Sequence, residues 1–199
     1  MRSAQLDLAA LIGSRICHDL ISPIGAINNG LELLEMAGGA SAGPEIALIG
    51  ESVGNASARI RFFRVAFGAA GNQMMGASEV HSILRDLYDG TRLSVDWQPD
   101  QPQPRARVQL AFLAMLCLES ALPYGGQITV AQDDDRWRLS AAADKLKVDH
   151  ALWDLLAPGC NRDGLQPAHV QFALLPIIAA DMGRQVGYRA TNNTVTVEF

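Results

Sequence analysis

The sequence predicts an α+β fold, with an N-terminal helical hairpin over residues 1–75 followed by a two-layer α/β sandwich over residues 76–199. Two observations predict it. The first part places apolar residues at helical spacing in two long stretches that a glycine-rich run separates. The second part mixes apolar helical stretches with short alternating segments that follow turns, a pattern typical of helices packed on a mostly antiparallel sheet.

The first helix is predicted over residues 7–36, where apolar residues recur with a heptad-like spacing. About thirty helical residues would extend roughly 45 Å at 1.5 Å per residue. The run from Ala37 to Gly43 contains glycine, alanine and serine, and it predicts the break that ends the helix. The apolar seam consists of Ile16, Leu20, Pro23 or Ile24, Ile27, Leu31 and Leu34.

A second helix is predicted to begin at Pro44, because proline suits the first turn of a helix. Its seam repeats every 3.5 residues and consists of Ile46, Ile49, Val53, Ala56, Ile60, Phe63 and Phe67. Two helices cannot bury stripes of this width against each other alone, whereas two hairpins form a four-helix bundle with a shared core. The sequence therefore predicts a homodimer.

The second part predicts helices over residues 78–88, 108–122, 149–156 and 169–182, and strands over residues 93–97, 127–131, 136–141 and 194–199. Gly125 and Gly126 predict the turn that precedes the second strand. Asp133 to Asp135 are expected at the tip of a hairpin, and residues 98–104, with three prolines, in a loop.

Composition excludes several classes of function. The chain has 199 residues, of which 49% are hydrophobic and 19% charged, and its net charge of −5 disfavours nucleic-acid binding, which depends on basic residues. No apolar run approaches the length of a membrane span, and the N-terminus does not resemble a signal peptide. Three widely spaced cysteines indicate reduced thiols and a cytoplasmic location, without metal-site spacing.

His18 lies on the first helix opposite its seam. At 100° per residue the seam falls between about 160° and 240°, and His18 falls at about 0°. Ser14, Ser22, Gly25 and Asn29, which are small or neutral, lie within about 40° of it. We therefore expect an exposed histidine on an open surface onto which another protein could place an active site.

Asp19 and Pro23 add to this pattern. The Asp19 carboxylate can accept Nδ1–H from His18 and leave Nε2 as the free nucleophile. Pro23 lacks an N–H, so the Asp19 carbonyl loses its helical partner and the helix should kink one turn after His18. Most exposed histidines on helices are ordinary surface residues, but that interpretation explains neither the proline nor the small residues around His18.

The stretch His18-Asp19-Leu20-x-Ser22-Pro23 resembles the phosphoacceptor box of sensor histidine kinases. The hairpin and the α/β part resemble the dimerisation-and-phosphotransfer domain and the ATP-binding domain of those kinases, over nearly the whole chain. The nucleotide motifs differ. Leu116 and Ser120 replace the asparagine pair that holds magnesium and phosphates, residues 143–149 lack the glycines of the adenine-reading box, and residues 159–167 lack a G-x-G lid.

A phosphoacceptor helix without a nucleotide site is similar to the alphaproteobacterial histidine phosphotransferases of the ChpT type, which "RICHDLISPIGAINNGLELLE" and "ARIRFFRVAFG" also resemble. The resemblance implies a cytoplasmic homodimer that accepts a phosphoryl group on His18 from the receiver of a hybrid histidine kinase and passes it to response-regulator receivers of the cell cycle. It implies no cofactor or metal in this chain, with magnesium only on the receiver. Two alternatives stay open: an atypical sensor histidine kinase that binds ATP, and a non-catalytic dimeric adaptor for receivers.

The second helix predicts part of a docking surface. Phe62 falls at about 80°, away from a seam centred near 230°, with Asn55 and Arg59 beside it. An exposed phenylalanine beside an arginine is typical of protein contacts, although Phe62 could equally lie beneath the second domain. The expected docking residues are Ser14, Arg15, Ser22, Gly25, Asn29, Arg59 and Phe62.

Overall fold

The computed structural model describes residues 2–36, 43–69, 71–160 and 164–199. Helices α1 (Arg2–Met36) and α2 (Gly43–Ala66) form the predicted hairpin. They run antiparallel, and a Cβ on Gly30 would lie 2.6 Å from Ile49 Cγ1, so glycine permits the close approach of the two helices at this position. The break predicted over residues 37–42 lies outside the described residues.

The predicted seams divide between two environments. Ile16, Leu20 and Ile27 are half-buried against neighbouring elements, and Phe63 is buried in the core. A second set stays about half exposed, from 47% to 58%, and we call it the outer apolar row: Ile24, Leu31, Ile46, Val53 and Ile60. Members on each helix are seven residues apart, which is the spacing of a coiled-coil stripe.

Within the described residues, five strands form a mixed sheet in the order β2-β4-β5-β7-β6. Strand β2 runs parallel to β4, and the other neighbours are antiparallel. A separate pair joins β1 (Met74–Met75) to β3 (Gln103–Pro104). The sheet strands are β2 (Leu93–Trp97), β4 (Gly126–Asp133), β5 (Arg136–Ala142), β6 (Gly187–Ala190) and β7 (Thr194–Glu198).

Helices α3 (Ala77–Tyr88), α4 (Arg105–Ser120) and α6 (Val170–Asp181) form the second layer, with a short α5 (His150–Trp153) followed by a 3-10 turn over Asp154–Leu156. Residues 108–118 of α4 are all buried, as expected of a helix that is apolar on every side. Successive side chains of each strand point to opposite faces of the sheet. The face that packs against the core carries the completely buried residues Ile128, Val130, Trp137, Leu139, Val195 and Val197.

The predicted α+β fold, with a helical hairpin followed by a two-layer domain, is confirmed. The first helix begins at Arg2 rather than residue 7, and β6 and the β1–β3 pair were not predicted. The domain boundary at residue 75 stays a prediction, as do the homodimer and its four-helix bundle. Across the described ranges no helix is both long enough and apolar enough to cross a membrane.

Candidate functional site

His18 lies in the middle of α1 with 81% of its side chain exposed. Ser14, Ser22 and Asn29 are exposed on the same face. A Cβ added at Gly25 would meet no atom within 4 Å, so the surface beside the imidazole is open. This geometry agrees with the surface that the helical projection predicts.

The Asp19 carboxylate contacts the imidazole of the preceding residue. His18 Nδ1 is 3.1 Å from Asp19 Oδ1, and only 11% of the Asp19 side chain is exposed. An ionised carboxylate only accepts hydrogen bonds, so in a hydrogen bond to such a group Nδ1 is the donor and carries the proton. In that tautomer Nε2 has the lone pair, which is the arrangement that the sequence predicts for a nucleophile.

Two guanidinium groups lie behind Asp19. Arg15 Nε donates to Asp19 Oδ2 at 2.8 Å, and Arg59 Nη1 from α2 lies 3.8 Å from the same oxygen. Arg15 Nη1 also donates to the carbonyl of Ala168, in the 3-10 turn Pro167–His169 that precedes α6. The Arg15 side chain is therefore turned toward Asp19 and the second domain, and its part in docking stays a prediction. Arg59 stays partly exposed.

Phe62 is not an exposed docking residue, so that prediction is wrong. It is completely buried, and its ring stacks on Phe112 of α4 with centroids 4.5 Å apart and planes 4° apart. The second domain covers this side of α2. A helical projection that considers only the seam between α1 and α2 cannot show that α2 also packs against α4. Phe62 is therefore a core residue beneath the second domain, the alternative that the sequence left open.

Ile21, which follows His18 by three residues, is 68% exposed and was not predicted as a site residue. At 100° per residue it lies about 60° from His18, so the same projection could have identified it. Pro23 lies inside α1, and the helix continues through it. The proline removes the donor for the Asp19 carbonyl, and the kink stays a prediction.

A cavity of about 180 Å³ lies between the hairpin and the second domain, next to Asp19. Arg15, Arg59, Tyr88 and Glu119 contribute to its lining. The Tyr88 hydroxyl donates to the Glu119 carboxyl, and burial raises the pKa of Glu119 above its ordinary range despite that bond and the nearby arginines. No sequence motif marks this pair, because Tyr88 and Glu119 belong to different helices.

The positions that bind nucleotide in kinases have other contacts here. Leu116 is buried in the core, and Ser120 Oγ donates to the Cys117 carbonyl at 2.6 Å. Gly125 and Gly126 have φ values of 97° and 153°, and a Cβ at Gly126 would lie 2.6 Å from the Ala142 carbonyl oxygen, so they serve a tight turn. In the part of the chain that the structure describes, no group of three or more His, Cys, Asp or Glu side chains could hold a metal ion.

A helical hairpin with an exposed histidine, followed by a two-layer α/β domain, defines the class of histidine kinases and phosphotransferases of two-component signalling. The family model "Histidine phosphotransferase C-terminal domain" matches residues 77–194. Protein phosphotransferase ChpT of Brucella abortus (strain 2308) is 34% identical over an alignment of 193 residues that covers 94% of this chain and 91% of that protein. The chain therefore belongs to the histidine phosphotransferase family, and within it to the ChpT type.

Solved structures agree with this assignment. The structure described as a bacterial phosphotransferase at 1.7 Å superposes with a TM-score of 0.81 at 32% identity, and covers 97% of this chain and 95% of that one. Histidine kinase ThkA, solved in complex with response regulator protein TrrA, gives a TM-score of 0.50 at 12% identity, over 100% of this chain and 64% of that one. The kinase likeness concerns the fold alone.

Proposed function

We propose that this chain is the intermediate of a phosphorelay: His18 accepts a phosphoryl group from the receiver domain of a hybrid histidine kinase and passes it to response-regulator receivers. The observation that supports the proposal is the exposed His18 ring, with Nδ1 held 3.1 Å from Asp19 Oδ1 and Nε2 left free. Following the family resemblance, we expect a cytoplasmic protein whose acceptor receivers govern the cell cycle.

In the proposed step, the lone pair of His18 Nε2 attacks the phosphorus of the receiver's aspartyl phosphate in line. The new P–N bond forms as the P–O bond breaks, and the receiver's carboxylate leaves with that electron pair. The proton on Nδ1 stays in place, so the ring becomes an imidazolium that the Asp19 carboxylate stabilises. Magnesium bound by the receiver would neutralise charge on the transferring group. The reverse step delivers the group to the next receiver.

We place the receiver on the face of α1 that surrounds His18. This face carries only small or neutral side chains beside His18, at Ser14, Ser22, Gly25 and Asn29. Ile21 adds exposed apolar surface next to them. A receiver has to bring its phosphorylated side chain within bonding distance of Nε2, so bulky neighbours of His18 would obstruct it. Arg59, partly exposed on α2, borders the same area.

The second domain supports a receiver, rather than ATP, as the phosphoryl donor. Leu116 is a core residue, and the Ser120 hydroxyl is engaged by its own helix, so neither offers a ligand to a magnesium–nucleotide complex. We propose that the chain uses no resident cofactor or metal, and that magnesium enters only with the receiver.

We also propose that the outer apolar row is covered by a second copy of this chain. The row continues on both helices at the seven-residue spacing of a coiled coil, and its five residues are each about half exposed in one hairpin. A hairpin of the same sequence presents the same row, so a two-fold pairing would bury both. The resulting four-helix bundle leaves His18, on another face of α1, accessible to a receiver.

The transfer step can be tested with receiver domains of the source organism, charged with acetyl phosphate and mixed with the protein. We expect an acid-labile phosphoryl group on the wild type and on His81→Ala, a matched control at another exposed histidine. His18→Ala should lose the label completely while it stays folded, because an exposed side chain contributes little to stability. Asp19→Asn should slow transfer without abolishing it.

Each alternative function has its own outcome in this assay. Labelling of His18 by magnesium–ATP alone would favour the atypical kinase. Receiver binding without any phosphoryl group on His18 would favour the adaptor. A label that persists in His18→Ala would move the acceptor to another histidine and contradict the proposal.

A further inference from the structure

Arg15 links the Asp19 carboxylate to the second domain by hydrogen bonds. Oδ1 of Asp19 faces His18 Nδ1, and Oδ2 accepts the Arg15 Nε–H at 2.8 Å. The other end of the same guanidinium donates to the Ala168 carbonyl, on the turn before α6. A continuous chain of hydrogen bonds therefore runs from the second domain through Arg15 and Asp19 to the imidazole.

We infer that Arg15 is a positioning residue: through it, the second domain holds Asp19 in the rotamer that keeps the His18 proton on Nδ1. The inference rests on the proposed function, since it assigns the second domain a part in the same phosphotransfer. The kinase-like domain would then have a part in phosphotransfer that requires no nucleotide.

The chemistry of arginine suits this role. Its planar guanidinium has donors on three nitrogens in fixed directions, so Nε can bind one acceptor while Nη1 binds another. A lysine ammonium on a flexible stem could pair with Asp19, but it would not fix the carboxylate relative to the Ala168 carbonyl. We therefore expect Arg15→Lys to keep the charge and to lose the orientation.

Burial makes the contact stronger than an ordinary pair on a helix surface. An exposed pair four residues apart contributes little to stability and exchanges readily with water. Here the side chains of Arg15 and Asp19 are 15% and 11% exposed, and the second domain supplies the cover. Arg59, at 3.8 Å from Asp19 Oδ2, adds attraction from α2 without a hydrogen bond.

Glu119 is the acceptor that could compete for Arg15, since both line the cavity beneath Asp19. The Tyr88 hydroxyl donates a hydrogen bond to one of the Glu119 carboxyl oxygens. Burial also raises the pKa of Glu119, which weakens its attraction for a guanidinium. Both features favour the bond from Arg15 to Asp19.

A purely structural role for Arg15, as a staple between the two domains, can be distinguished with a matched control. Arg61 also joins α2 to the second domain, through the Asp86 carboxylate and Ser82 Oγ on α3. It has no contact with Asp19 or His18 among the described residues. Arg61→Lys should therefore weaken an interdomain contact of similar kind and leave the transfer rate at saturating receiver unchanged.

The test measures single-turnover transfer from a receiver charged with acetyl phosphate, over a range of receiver concentrations. For Arg15→Lys and Arg15→Gln we expect the maximal rate to fall about tenfold, which is about 1.4 kcal/mol. The receiver concentration at half-maximal rate should be unchanged. In the Asp19→Asn background, Arg15→Lys should cause no further loss, because Arg15 would act only through Asp19.

The tautomer of His18 gives a readout independent of transfer. Long-range ¹H–¹⁵N spectra of the intact protein, assigned by comparison with His18→Ala, should show the Nδ1–H form in the wild type and in Arg61→Lys, and a shift toward Nε2–H in Arg15→Lys. A wild type that is mainly Nε2–H would overturn the inference, as would an Arg15→Lys variant with wild-type tautomer and rate. A wild type that takes no phosphoryl group on His18 would instead overturn the proposed function.

Discussion

The hairpin and the second domain solve the burial of apolar surface in different ways. The second domain encloses its core within one chain, where Phe112, Trp137 and Trp153 have no exposure. The hairpin leaves its outer apolar row about half exposed, although α1 and α2 are the longest helices of the described residues. From this comparison we expect the hairpin, rather than the second domain, to require a second copy of the chain to cover its apolar surface.

The same difference separates the two roles that we propose. The parts of the hairpin that the second domain does not cover are the outer apolar row and the surface around His18. The part that it does cover includes Phe62 and the side of Asp19 that faces Arg15. We therefore interpret the second domain as a rigid support, and the free faces of the hairpin as the places where other chains bind.

The largest effect that would test this comparison is expected from Ile60→Asp. If a second copy covers Ile60, the substitution buries a charge without a partner in the outer apolar row, and we expect the dimer to weaken by on the order of 3 kcal/mol, or roughly a hundredfold. Light scattering across micromolar concentrations should show a dimer for the wild type and a monomer for the variant.

Ile177→Asp is the matched control, because Ile177 is a similarly exposed apolar residue on α6 of the second domain. It should leave the dimer intact, since that domain needs no second copy. A wild type that is a stable folded monomer, or an Ile60→Asp variant that dimerises as tightly as the wild type, would contradict the pairing of outer rows.

Local patterns were sufficient to predict most of the secondary structure. Leu93–Trp97 is a strand with the bounds that its alternation predicts, and β5 differs by one residue from the prediction. β6 was missed because Gly187–Ala190 is short and largely exposed at the sheet edge, so its sequence has little alternation to detect. The parallel pairing of β2 with β4 depends on tertiary structure, which a short stretch of sequence does not indicate.

The candidate site divides in the same way. His18, Asp19 and their exposed neighbours lie within a few turns of one helix, so a projection of that helix could place them. Phe62 was assigned wrongly, and the contacts of Arg15 were not predicted, because the surroundings of both residues come from the second domain. The Ala168 carbonyl that binds Arg15 is 153 positions away in the chain, and Phe112 that covers Phe62 is on α4.

A smaller effect is expected from Glu119, which lies where the two regions meet. Burial raises its pKa above the ordinary value of 4.5. As the pH rises past that value, the Glu119 carboxyl loses its proton in the unfolded chain but retains it in the folded protein. The contribution of Glu119 to the free energy of unfolding therefore decreases as the pH rises. Glu119→Gln should remove this contribution. In urea unfolding, the free energy of unfolding of the wild type minus that of the variant should therefore decrease from acidic to neutral pH.

Tyr88→Phe supplies the opposite change. The Tyr88 hydroxyl favours the ionised form of Glu119, so its loss should raise the pKa of Glu119 further and steepen the decline in stability with pH. Identical pH dependence for the wild type, Glu119→Gln and Tyr88→Phe would show that Glu119 is not closed off from water between the hairpin and the second domain.

The smallest effect compares two glycines of α1, one facing outward and one facing α2. A Cβ at Gly25 would meet open space, so Gly25→Ala should stabilise the helix by about 0.5–1 kcal/mol through its higher helix propensity. A Cβ at Gly30 would lie 2.6 Å from Ile49 Cγ1, and overpacking there should cost about 1–3 kcal/mol and outweigh the same gain. Thermal unfolding at matched concentration should separate the two variants.

Gly25→Ala should at the same time impair the proposed reaction, because the added methyl group occupies the surface on which we place the receiver. We expect the receiver concentration at half-maximal transfer to rise several-fold, while the maximal rate changes little, since His18, Asp19 and Arg15 keep their hydrogen bonds. Greater stability together with weaker docking is an outcome that general damage to α1 cannot produce. If Gly25→Ala were more stable and transferred at every receiver concentration as fast as the wild type, the receiver would approach His18 from a side that Gly25 does not border, and the docking surface would have to be moved toward Arg59.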